Sequence, residues 1–405
     1  MTCGALYMHV PFCVRKCAYC DFASWATEAG DPLMGAYTDA LALEIRELLE
    51  AGLLGDVRTA YVGGGTPTLL GTRLAGLVAD VREACPCAGE LTFEANPDSL
   101  TGDVLAGCVA AGATRVSIGV QSLDDAELAA LGRIHSAEQA LGAVGRAMAS
   151  GLDVSCDLMC AIPGQTDASW ARTLAGVVDA GVGHVSVYPL QLEEGTPLGE
   201  RWAEEEPAFN DPDVQAARME RAASALEGAG YARYEVASYA LPGRECRHNE
   251  AYWTGVPYLG LGCGAASMVD RAGYEQLRAN VCPQLPTLDA GVARVRLVVE
   301  GDRQEVADAP LLGERHFSLD LLSEREAVAE DLMLGMRMTS GVGEDLLVRA
   351  RDVIGAERVD ATVEGVVKRG LAAWSGEGRL VPTSRGWLLG NELYAELWAL
   401  AEKQS

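Results

Sequence analysis

The feature that most constrains the fold is an alternation, from Ala5 to about Ala240, of short apolar runs with longer amphipathic stretches. This pattern is typical of βαβ units, in which a helix follows each buried parallel strand. Right-handed crossovers would curl such a sheet toward a barrel. We therefore predict an α/β protein whose residues 1–240 form a partial (β/α)6 barrel. Six strands are predicted, and each is near-continuously apolar, as is typical of buried parallel strands. They are Leu6–Val10, Thr59–Val62, Leu91–Glu94, Arg115–Val120, Val154–Met159 and Val185–Tyr188.

The rest of the chain departs from this alternation. Tyr231–Gly264 is rich in Tyr, Gly and Pro, and we expect a subdomain that packs over the barrel mouth. Val281–Glu314 has several prolines and scattered charges, which is typical of a connecting segment. A second domain is predicted to begin near Ser323, where Ser323 and Glu326 form a capping box before an apolar helix that runs to Met338.

Residues 241–314 are therefore assigned to a barrel-mouth extension and linker, and 315–405 to a small helical, winged-helix-like domain. Units of the winged-helix type often bind DNA. However, 58 acidic against 32 basic side chains give a formal net charge of −26, which disfavours contact with a polyanion over any broad surface. We expect no nucleic acid partner and a structural or lid role for this domain. A local basic pocket could still hold an anionic small molecule.

The sequence also bears on the cellular compartment. We find no apolar run of about 18 residues and no charged-then-apolar leader, so we expect a cytoplasmic protein. The sequence leaves open a loose membrane association through a partner, and it does not define the oligomeric state. In a reducing compartment the 12 cysteines are thiols or metal ligands rather than disulfides.

Three cysteines lie in a short loop directly after the first predicted strand, with the spacing Cys13-x3-Cys17-x2-Cys20. Three thiolates on a [4Fe-4S] cluster leave one iron without a protein ligand and open to a small chelating molecule. A structural zinc site is the alternative, but it needs a fourth ligand such as His9 and normally spaces its cysteines as pairs. We therefore predict a [4Fe-4S] cluster on these three cysteines.

A further alternative is that the three cysteines are reduced thiols packed in the core. Core thiols have apolar neighbours. The flanking residues Arg15, Lys16 and Asp21 are charged, so we interpret the segment as a polar loop rather than a part of the core.

Polar and glycine residues follow the next predicted strands where each strand ends. Gly64, Gly65 and Thr66 follow the second strand, and consecutive glycines let a backbone approach a ligand where any Cβ would clash. Glu94, Gln121 and Asp157 lie at or near the ends of the third, fourth and fifth strands. Barrel active sites are built at the carboxyl ends of the strands, so we expect these side chains to face the cysteine loop. Each one taken alone could be a satisfied core group.

Together these residues resemble the radical S-adenosylmethionine (SAM) superfamily, and within it the branch of oxygen-independent coproporphyrinogen III oxidase and the heme chaperone HemW. The resemblance covers nearly the whole chain and implies a TIM-like radical SAM barrel. It rests on Tyr7–Cys13, Gly63–Thr68, Glu94–Pro97, Ser117–Ser122, Leu131–His135, Asp157–Met159, His248–Trp253, Gly260–Ser267 and Leu380–Asn391.

The resemblance implies that Cys13, Cys17 and Cys20 hold the cluster and that the methionyl end of SAM chelates the open iron. A reduced cluster would then pass one electron to the sulfonium and release a 5′-deoxyadenosyl radical. The positions implied to contact or lie beside the cofactors are Tyr7, Phe22, Gly64, Gly65, Thr66, Glu94, Gln121, Arg133, Asp157 and His248.

Two details favour the chaperone over the oxidase. Phe22 occupies the place where the oxidases carry a fourth cysteine, and six residues precede Tyr7, where the oxidases have an N-terminal extension. The protein is then expected to bind heme and deliver it to heme-accepting proteins, without oxidase activity. His248 is a candidate heme contact, but a purely ordering role through a hydrogen bond is an equal alternative. Ala266 stands where the family usually has histidine, which weakens any assignment of the heme ligand.

Two other function classes remain open. One is a true radical enzyme that decarboxylates the propionates of coproporphyrinogen III. The other is a binding module in which the cluster has only a structural role.

Overall fold

A computed structural model describes residues 3–203 and 211–402 of the chain. Within them the strands are β1 Ala5–Val10, β2 Phe12–Cys13, β3 Trp25–Ala26, β4 Thr59–Gly64, β5 Glu90–Ala95, β6 Arg115–Gln121, β7 Asp153–Cys160, β8 His184–Pro189, β9 Ala232–Arg233, β10 Ser238–Ala240, β11 Tyr258–Leu261, β12 Ala266–Asp270, β13 Val292–Val299, β14 Phe317–Ser323, β15 Ala372–Trp374 and β16 Leu380–Pro382.

The described helices alternate with the strands in the first half of the chain and dominate its C-terminal part. They are α1 Pro32–Glu50, α2 Thr72–Ala84, α3 Gly102–Ala110, α4 Asp125–Ala130, α5 Ala137–Ala149, α6 Asp167–Asp179, α7 Pro197–Ala203, α8 Pro212–Gly228, α9 Arg247–Trp253, α10 Arg271–Asn280, α11 Arg303–Asp308, α12 Glu324–Gly335, α13 Glu344–Ile354, α14 Ala356–Lys368, α15 Ser384–Leu388 and α16 Gly390–Trp398.

One twelve-stranded sheet organises the molecule, in the order β14-β13-β12-β11-β1-β4-β5-β6-β7-β8-β10-β9. The seven strands from β11 to β8 run parallel, and antiparallel strands extend both edges. All six predicted strands are present, and the predicted α/β fold with a mostly parallel sheet is confirmed. Among the described residues the edge strands β9 and β14 do not pair with each other, so the barrel is partial.

The expectation that Val281–Glu314 is a connecting segment is wrong in its central part. This segment contains β13, which pairs with β12 and β14 on either side. The segment Tyr231–Gly264 also contributes to the sheet, because β11 pairs in parallel with β1. The sheet therefore extends well beyond the six predicted strands.

The two faces of the parallel strands differ in polarity. In β6, Val116, Ile118 and Val120 are at most 1% exposed and belong to the core between the sheet and the helices. The alternate positions Arg115 and Gln121, with Ser117 and Gly119 between them, line a cavity inside the barrel. The prediction of near-continuously apolar strands therefore fails for the inner face, where side chains meet the cavity rather than a second apolar layer.

The C-terminal part has a hydrophobic core of its own, which runs from Val328 to Leu400. The predicted capping box is present, since Ser323 Oγ accepts from Glu326 N and Glu326 Oε2 accepts from Ser323 N. The helix α12 ends at Gly335 rather than at Met338. Helices α13 and α14 are followed by the hairpin β15–β16, which is the arrangement expected of a winged-helix-like unit.

No helix in the described ranges is long and apolar enough to cross a membrane.

Candidate functional site

The three cysteines of the sequence motif lie at the carboxyl end of β1. Cys13 ends β2, which pairs in parallel with β3, and Cys17 and Cys20 follow in the next loop. Ala18 fixes the middle of this loop, because its N–H donates to Leu131 O at 3.0 Å and its carbonyl accepts from Leu198 N at 2.7 Å. The cysteine loop is therefore tied by backbone bonds to segments that follow β6 and β8.

The glycine segment after β4 packs directly against the cysteine loop. Gly65 N donates to Val10 O at 2.8 Å and Thr66 N donates to Phe12 O at 2.7 Å. A Cβ on Gly65 would lie 2.7 Å from Phe12 O and 3.0 Å from Cys13 Sγ, so the contact requires glycine. Thr66 Oγ1 also donates to Cys13 Sγ at 3.6 Å. This contact confirms that the two motifs lie side by side.

Arg133 connects the cysteine loop to two other strand ends. Its Nη1 donates to Cys17 Sγ at 3.3 Å, and its Nη2 donates to Asn96 Oδ1 at 2.8 Å and to Gly119 O at 2.9 Å. The guanidinium suits this position because it is planar and carries several donors in a fixed arrangement. Asn96 was not singled out in the sequence, although it belongs to the motif that follows Glu94.

The cysteine geometry bears on which metal group fits. Among the described residues no three His, Cys, Asp or Glu side chains come close enough to share one metal ion. His9 does not act as a fourth ligand, because its Nε2 bonds to Ala23 O at 2.7 Å and its Nδ1 to Tyr7 Oη at 3.0 Å. Three cysteines that line one cavity without converging on one metal position fit a polynuclear cluster better than a single zinc ion.

Glu94 faces this region from the end of β5. Its Oε1 accepts from Tyr61 Oη at 2.9 Å and its Oε2 accepts from Gly64 N at 2.9 Å. Burial raises the pKa of Glu94 to about 7, and the Gly64 hydrogen bond opposes this shift. Gly64 itself has φ +116°, which favours glycine, and a Cβ there would lie 2.5 Å from His9. The carboxyl is therefore held where it can accept from an ammonium group.

Asp157 and Gln121 complete the inner surface. Asp157 Oδ2 accepts from Ser117 Oγ at 2.9 Å, and burial raises its pKa while hydrogen bonds from Ser117 and Ser186 oppose the shift. Gln121 has φ +64°, an uncommon conformation for a residue other than glycine and one that clusters at ligand sites.

These side chains surround a central cavity of about 300 Å³. The predicted site residues that line it are Cys13, Cys17, Cys20, Phe22, Gly64, Gly65, Thr66, Glu94, Gln121, Arg133 and Asp157. Three buried polar atoms on its walls, Thr92 Oγ1, Arg115 Nη2 and Arg133 Nε, have no partner among the described residues. A buried polar atom without a protein partner is ordinarily paired by water, an ion or a ligand.

Two predicted site residues lie apart from this cavity. Tyr7 does not line it, and its hydroxyl bonds to His9. His248 is 1% exposed, with Nδ1 bonded to Thr59 Oγ1 at 3.0 Å and Nε2 to Tyr252 Oη at 3.2 Å. Burial lowers the pKa of His248 to about 3, so the ring is neutral. This geometry does not support a heme contact by His248 and instead favours the ordering role.

Sequence reasoning missed the polar residues at the start and middle of the strands, which also line the cavity. They are Thr92, Arg115, Ser117, Ser155, His184 and Ser186. A signal was present in β6, where Arg115, Ser117, Gly119 and Gln121 alternate with three apolar residues. This period of two indicates one polar face on an otherwise buried strand.

Comparison with known proteins assigns a family to this geometry. The Radical SAM superfamily model matches residues 7–175. The heme chaperone HemW of Mycobacterium tuberculosis is 37% identical over 401 residues, which cover 97% of this chain and 94% of that protein. The chain belongs to the HemW family of the radical SAM superfamily. A further similar relative is the mitochondrial radical S-adenosyl methionine domain-containing protein 1 of Bos taurus, 35% identical over 84% of this chain and 74% of that protein.

The fold of this HemW-family chain is also found in a solved structure. Coproporphyrinogen III oxidase (HemN) from Escherichia coli matches with a TM-score of 0.74 at 20% identity, over 99% of this chain and 90% of that chain. Membership of the radical SAM superfamily implies a [4Fe-4S] cluster and SAM as cofactors. The three cysteines at one end of the central cavity and the buried polar atoms without a partner fit a [4Fe-4S] cluster and SAM.

Proposed function

We propose that this protein is a heme chaperone: it holds a [4Fe-4S] cluster on Cys13, Cys17 and Cys20, binds SAM in the central cavity, and delivers heme to acceptor proteins in the cytoplasm. The observation that carries the heme assignment is a second, mostly apolar cavity of about 520 Å³ beside the first. Both cavities are bordered by Tyr188 and Asn249.

The second cavity, called here the aromatic cavity, suits a flat apolar ligand. It lies between α8, α9 and the C-terminal helices, and its size is within the range of cofactor pockets. Its aromatic and apolar walls include Met219, Tyr252, Trp253, Trp387 and Leu388. A porphyrin presents the large planar apolar surface that such side chains bind.

The family motif around His248 contributes to the aromatic cavity through its other members. Asn249, Tyr252 and Trp253 line the cavity, whereas His248 points to Thr59 on the opposite side. Arg337 lies over the Trp253 ring at 4.9 Å and also borders the cavity. This arrangement supports a heme-binding site formed by the aromatic residues of the motif rather than by its histidine.

Different residues of the central cavity would contact different parts of SAM. Glu94 and the Gly64–Thr66 backbone would hold its methionyl end, while Gln121, Arg133 and Asp157 would orient the rest of the molecule. Phe22 is 63% exposed at the rim of the cavity, where an apolar ring can restrict water. When bound, the cluster and SAM supply one-electron chemistry, and the protein supplies orientation.

A heme titration tests this proposal. We expect a saturable Soret shift at near-unit stoichiometry with the anaerobically reconstituted protein, and failure to saturate would contradict it. The alternative function, oxidase activity, is supported by the fold shared with HemN. Incubation with SAM, dithionite and coproporphyrinogen III separates the two, since steady formation of protoporphyrinogen would exclude a pure chaperone.

The cluster assignment has its own test. Cys17→Ala should lower iron content and the absorbance near 400 nm after anaerobic reconstitution, because a thiolate ligand is lost. Cys87→Ala, at an exposed cysteine outside the cavity, is the matched control and should leave both unchanged. Equal iron content in the Cys17→Ala variant and the wild type would contradict the assignment.

A further inference from the structure

The mostly apolar wall of the aromatic cavity contains one positively charged side chain. Arg337, shortly after α12, is the sole cation among the described residues that line this cavity. Its guanidinium makes no hydrogen bond and no salt bridge to another described residue. An anionic group of a ligand in the aromatic cavity would therefore meet one positive charge that the described part of the protein leaves unpaired.

Arg337 is held in place by the backbone that follows it and by two aromatic rings. Thr339 N donates to Tyr234 O at 3.0 Å, which ties this segment to the barrel. The guanidinium carbon of Arg337 lies 4.9 Å from the ring centroid of Trp253 and 4.5 Å from that of Tyr394. A cation over a ring is attracted by the face of that ring. The contact uses no N–H group, so the donors of the guanidinium stay available to a ligand.

The terminal nitrogens of Arg337 are the atoms that a ligand can reach. Nε is enclosed by protein and has no partner in the described part of the chain, whereas Nη1 and Nη2 are not enclosed. Two such nitrogens in one plane match the two oxygens of a carboxylate, and the resulting pair is both strong and directional. The geometry therefore favours a carboxylate as the anionic group.

Glu235, the one acidic residue among the described residues of the cavity wall, does not pair with Arg337. Its Oε2 accepts from Trp253 Nε1 at 3.1 Å and from Ala237 N at 3.2 Å. Burial raises the pKa of Glu235, and these hydrogen bonds oppose the shift. The Glu235 carboxyl thus holds the Trp253 ring, and the charge of Arg337 is left for a ligand.

We propose that Arg337 binds a propionate carboxylate of the heme whose ring occupies the aromatic cavity, an inference that rests on the proposed function. Heme combines a large apolar ring with two carboxylates on one edge. A cavity with aromatic and apolar walls and one unpaired guanidinium matches both parts of this molecule. The pair with Nη1 and Nη2 would also fix how the ring lies against Trp253.

The test compares heme with heme dimethyl ester, whose propionates carry no charge, in titrations of the reconstituted full chain. We expect the wild type to bind heme about tenfold more tightly than the ester, because a charge-assisted hydrogen-bonded pair contributes about that much. Arg337→Gln should lose this preference: it should bind heme only as tightly as the ester, with ester binding unchanged from the wild type.

Arg233→Gln is the matched control. Arg233, on β9, lies over the ring of Trp387 at 4.2 Å, and this ring lines the aromatic cavity, but Arg233 itself does not line it. The variant loses the same charge and the same kind of ring contact as Arg337→Gln does. It should keep the preference of the wild type for heme, and an equal loss of preference in both variants would contradict a direct contact by Arg337.

The outcomes separate this inference from the proposed function. If the wild type bound neither ligand saturably, the proposed function would fail and this inference would fail with it. If the wild type bound heme and the ester equally, heme binding would stand and the carboxylate contact would be excluded. If Arg337→Gln weakened both ligands alike, the contact would also be excluded, because Arg337 would then only support the Trp253 ring.

A second variant covers the case in which Arg337→Gln does not fold, which loss of the cluster after reconstitution would reveal. Arg337→Lys keeps the positive charge but lacks the planar pair of donors. We expect its preference for heme over the ester to fall to roughly threefold, as one hydrogen bond of the pair is lost, with ester binding unchanged. A preference equal to that of the wild type would contradict the pairing of the guanidinium with a carboxylate.

Discussion

At the scale of single residues, Glu94 makes the stability of the fold depend on pH. Burial raises the pKa of this carboxyl from 4.5 to about 7. Between pH 4.5 and pH 7 the folded protein keeps the Glu94 proton, whereas the unfolded chain releases it. The protonated carboxyl therefore stabilises the fold fully below about pH 4.5, and this stabilisation is lost as the pH rises through 7.

Glu94→Gln should remove this dependence. The free energy of unfolding of the variant, relative to the wild type, should rise by about 2 kcal/mol between pH 5 and pH 8, allowing for some solvent contact. A constant loss from the missing acceptor for Tyr61 or Gly64 is expected at every pH. Urea unfolding of the cluster-free protein at both pH values measures the difference. Glu364→Gln, on the exposed face of α14, is the control for the loss of a carboxylate. If the difference in the free energy of unfolding between Glu94→Gln and the wild type did not change with pH, the prediction would be contradicted.

The residue scale also shows which site residues can be predicted from sequence. The cysteines, Glu94 and Asp157 could be found because their spacing, or their position at a strand end, fixes where they point. His248 could not be assigned from its motif, since a helix of seven residues can present its histidine to either side. Its contact with Thr59 depends on how α9 packs against β4, which is a tertiary property.

At the scale of elements, the approach of the glycine segment to β2 controls the cysteine loop. A Cβ on Gly65 would collide with Phe12 O and Cys13 Sγ, neither of which is the free end of a flexible side chain. We expect Gly65→Ala to displace the loop and to reduce the iron content of the reconstituted protein at least twofold, with a loss of stability of about 1–3 kcal/mol.

Gly76→Ala provides the matched control for this prediction. Gly76 lies in α2, and nothing is within 4 Å of the position that its Cβ would occupy. The substitution should leave iron content unchanged and stabilise the helix by about 0.5–1 kcal/mol. Iron content that is equal in both variants and in the wild type would contradict the role given to Gly65.

Elements also differ in how far sequence predicts them. The six parallel strands were recognisable because their outward positions are apolar and their bounds are marked by glycine or polar residues. The strand β13 was missed because Arg294 and Arg296 interrupt its apolar pattern. Those charges are met by Glu330, 36 positions beyond Arg294, and a local pattern cannot reveal such a partner.

At the scale of the whole molecule, the same ion pairs join the C-terminal part to the sheet. Glu330 on α12 is fully buried, and Arg294 donates to it at 2.7 Å while Arg296 also contacts it. Glu330→Ala should lower the free energy of unfolding by about 3 kcal/mol, since the mostly buried Arg294 and the partly exposed Arg296 both lose a fully buried partner. Arg294 keeps its bond to Asp331, which limits the loss. Urea unfolding monitored by circular dichroism measures it.

Asp320→Ala is the matched control because Asp320 pairs with the same Arg296, but with 65% of its side chain exposed. An exposed pair contributes little, so we expect a loss below about 1 kcal/mol. Equal losses in the two variants would show that burial does not set the strength of this contact.

The alternation of polar inner and apolar outer positions along β6 and its neighbours has a consequence for how such a protein can change over time. Packing against the helices depends on Val116, Ile118 and Val120, whereas contact with a ligand depends on the residues between them. A mutation on the inner face can therefore alter what the barrel accepts while the scaffold stays intact. Selection for binding a new ligand and selection for folding therefore act on different residues of the same strand.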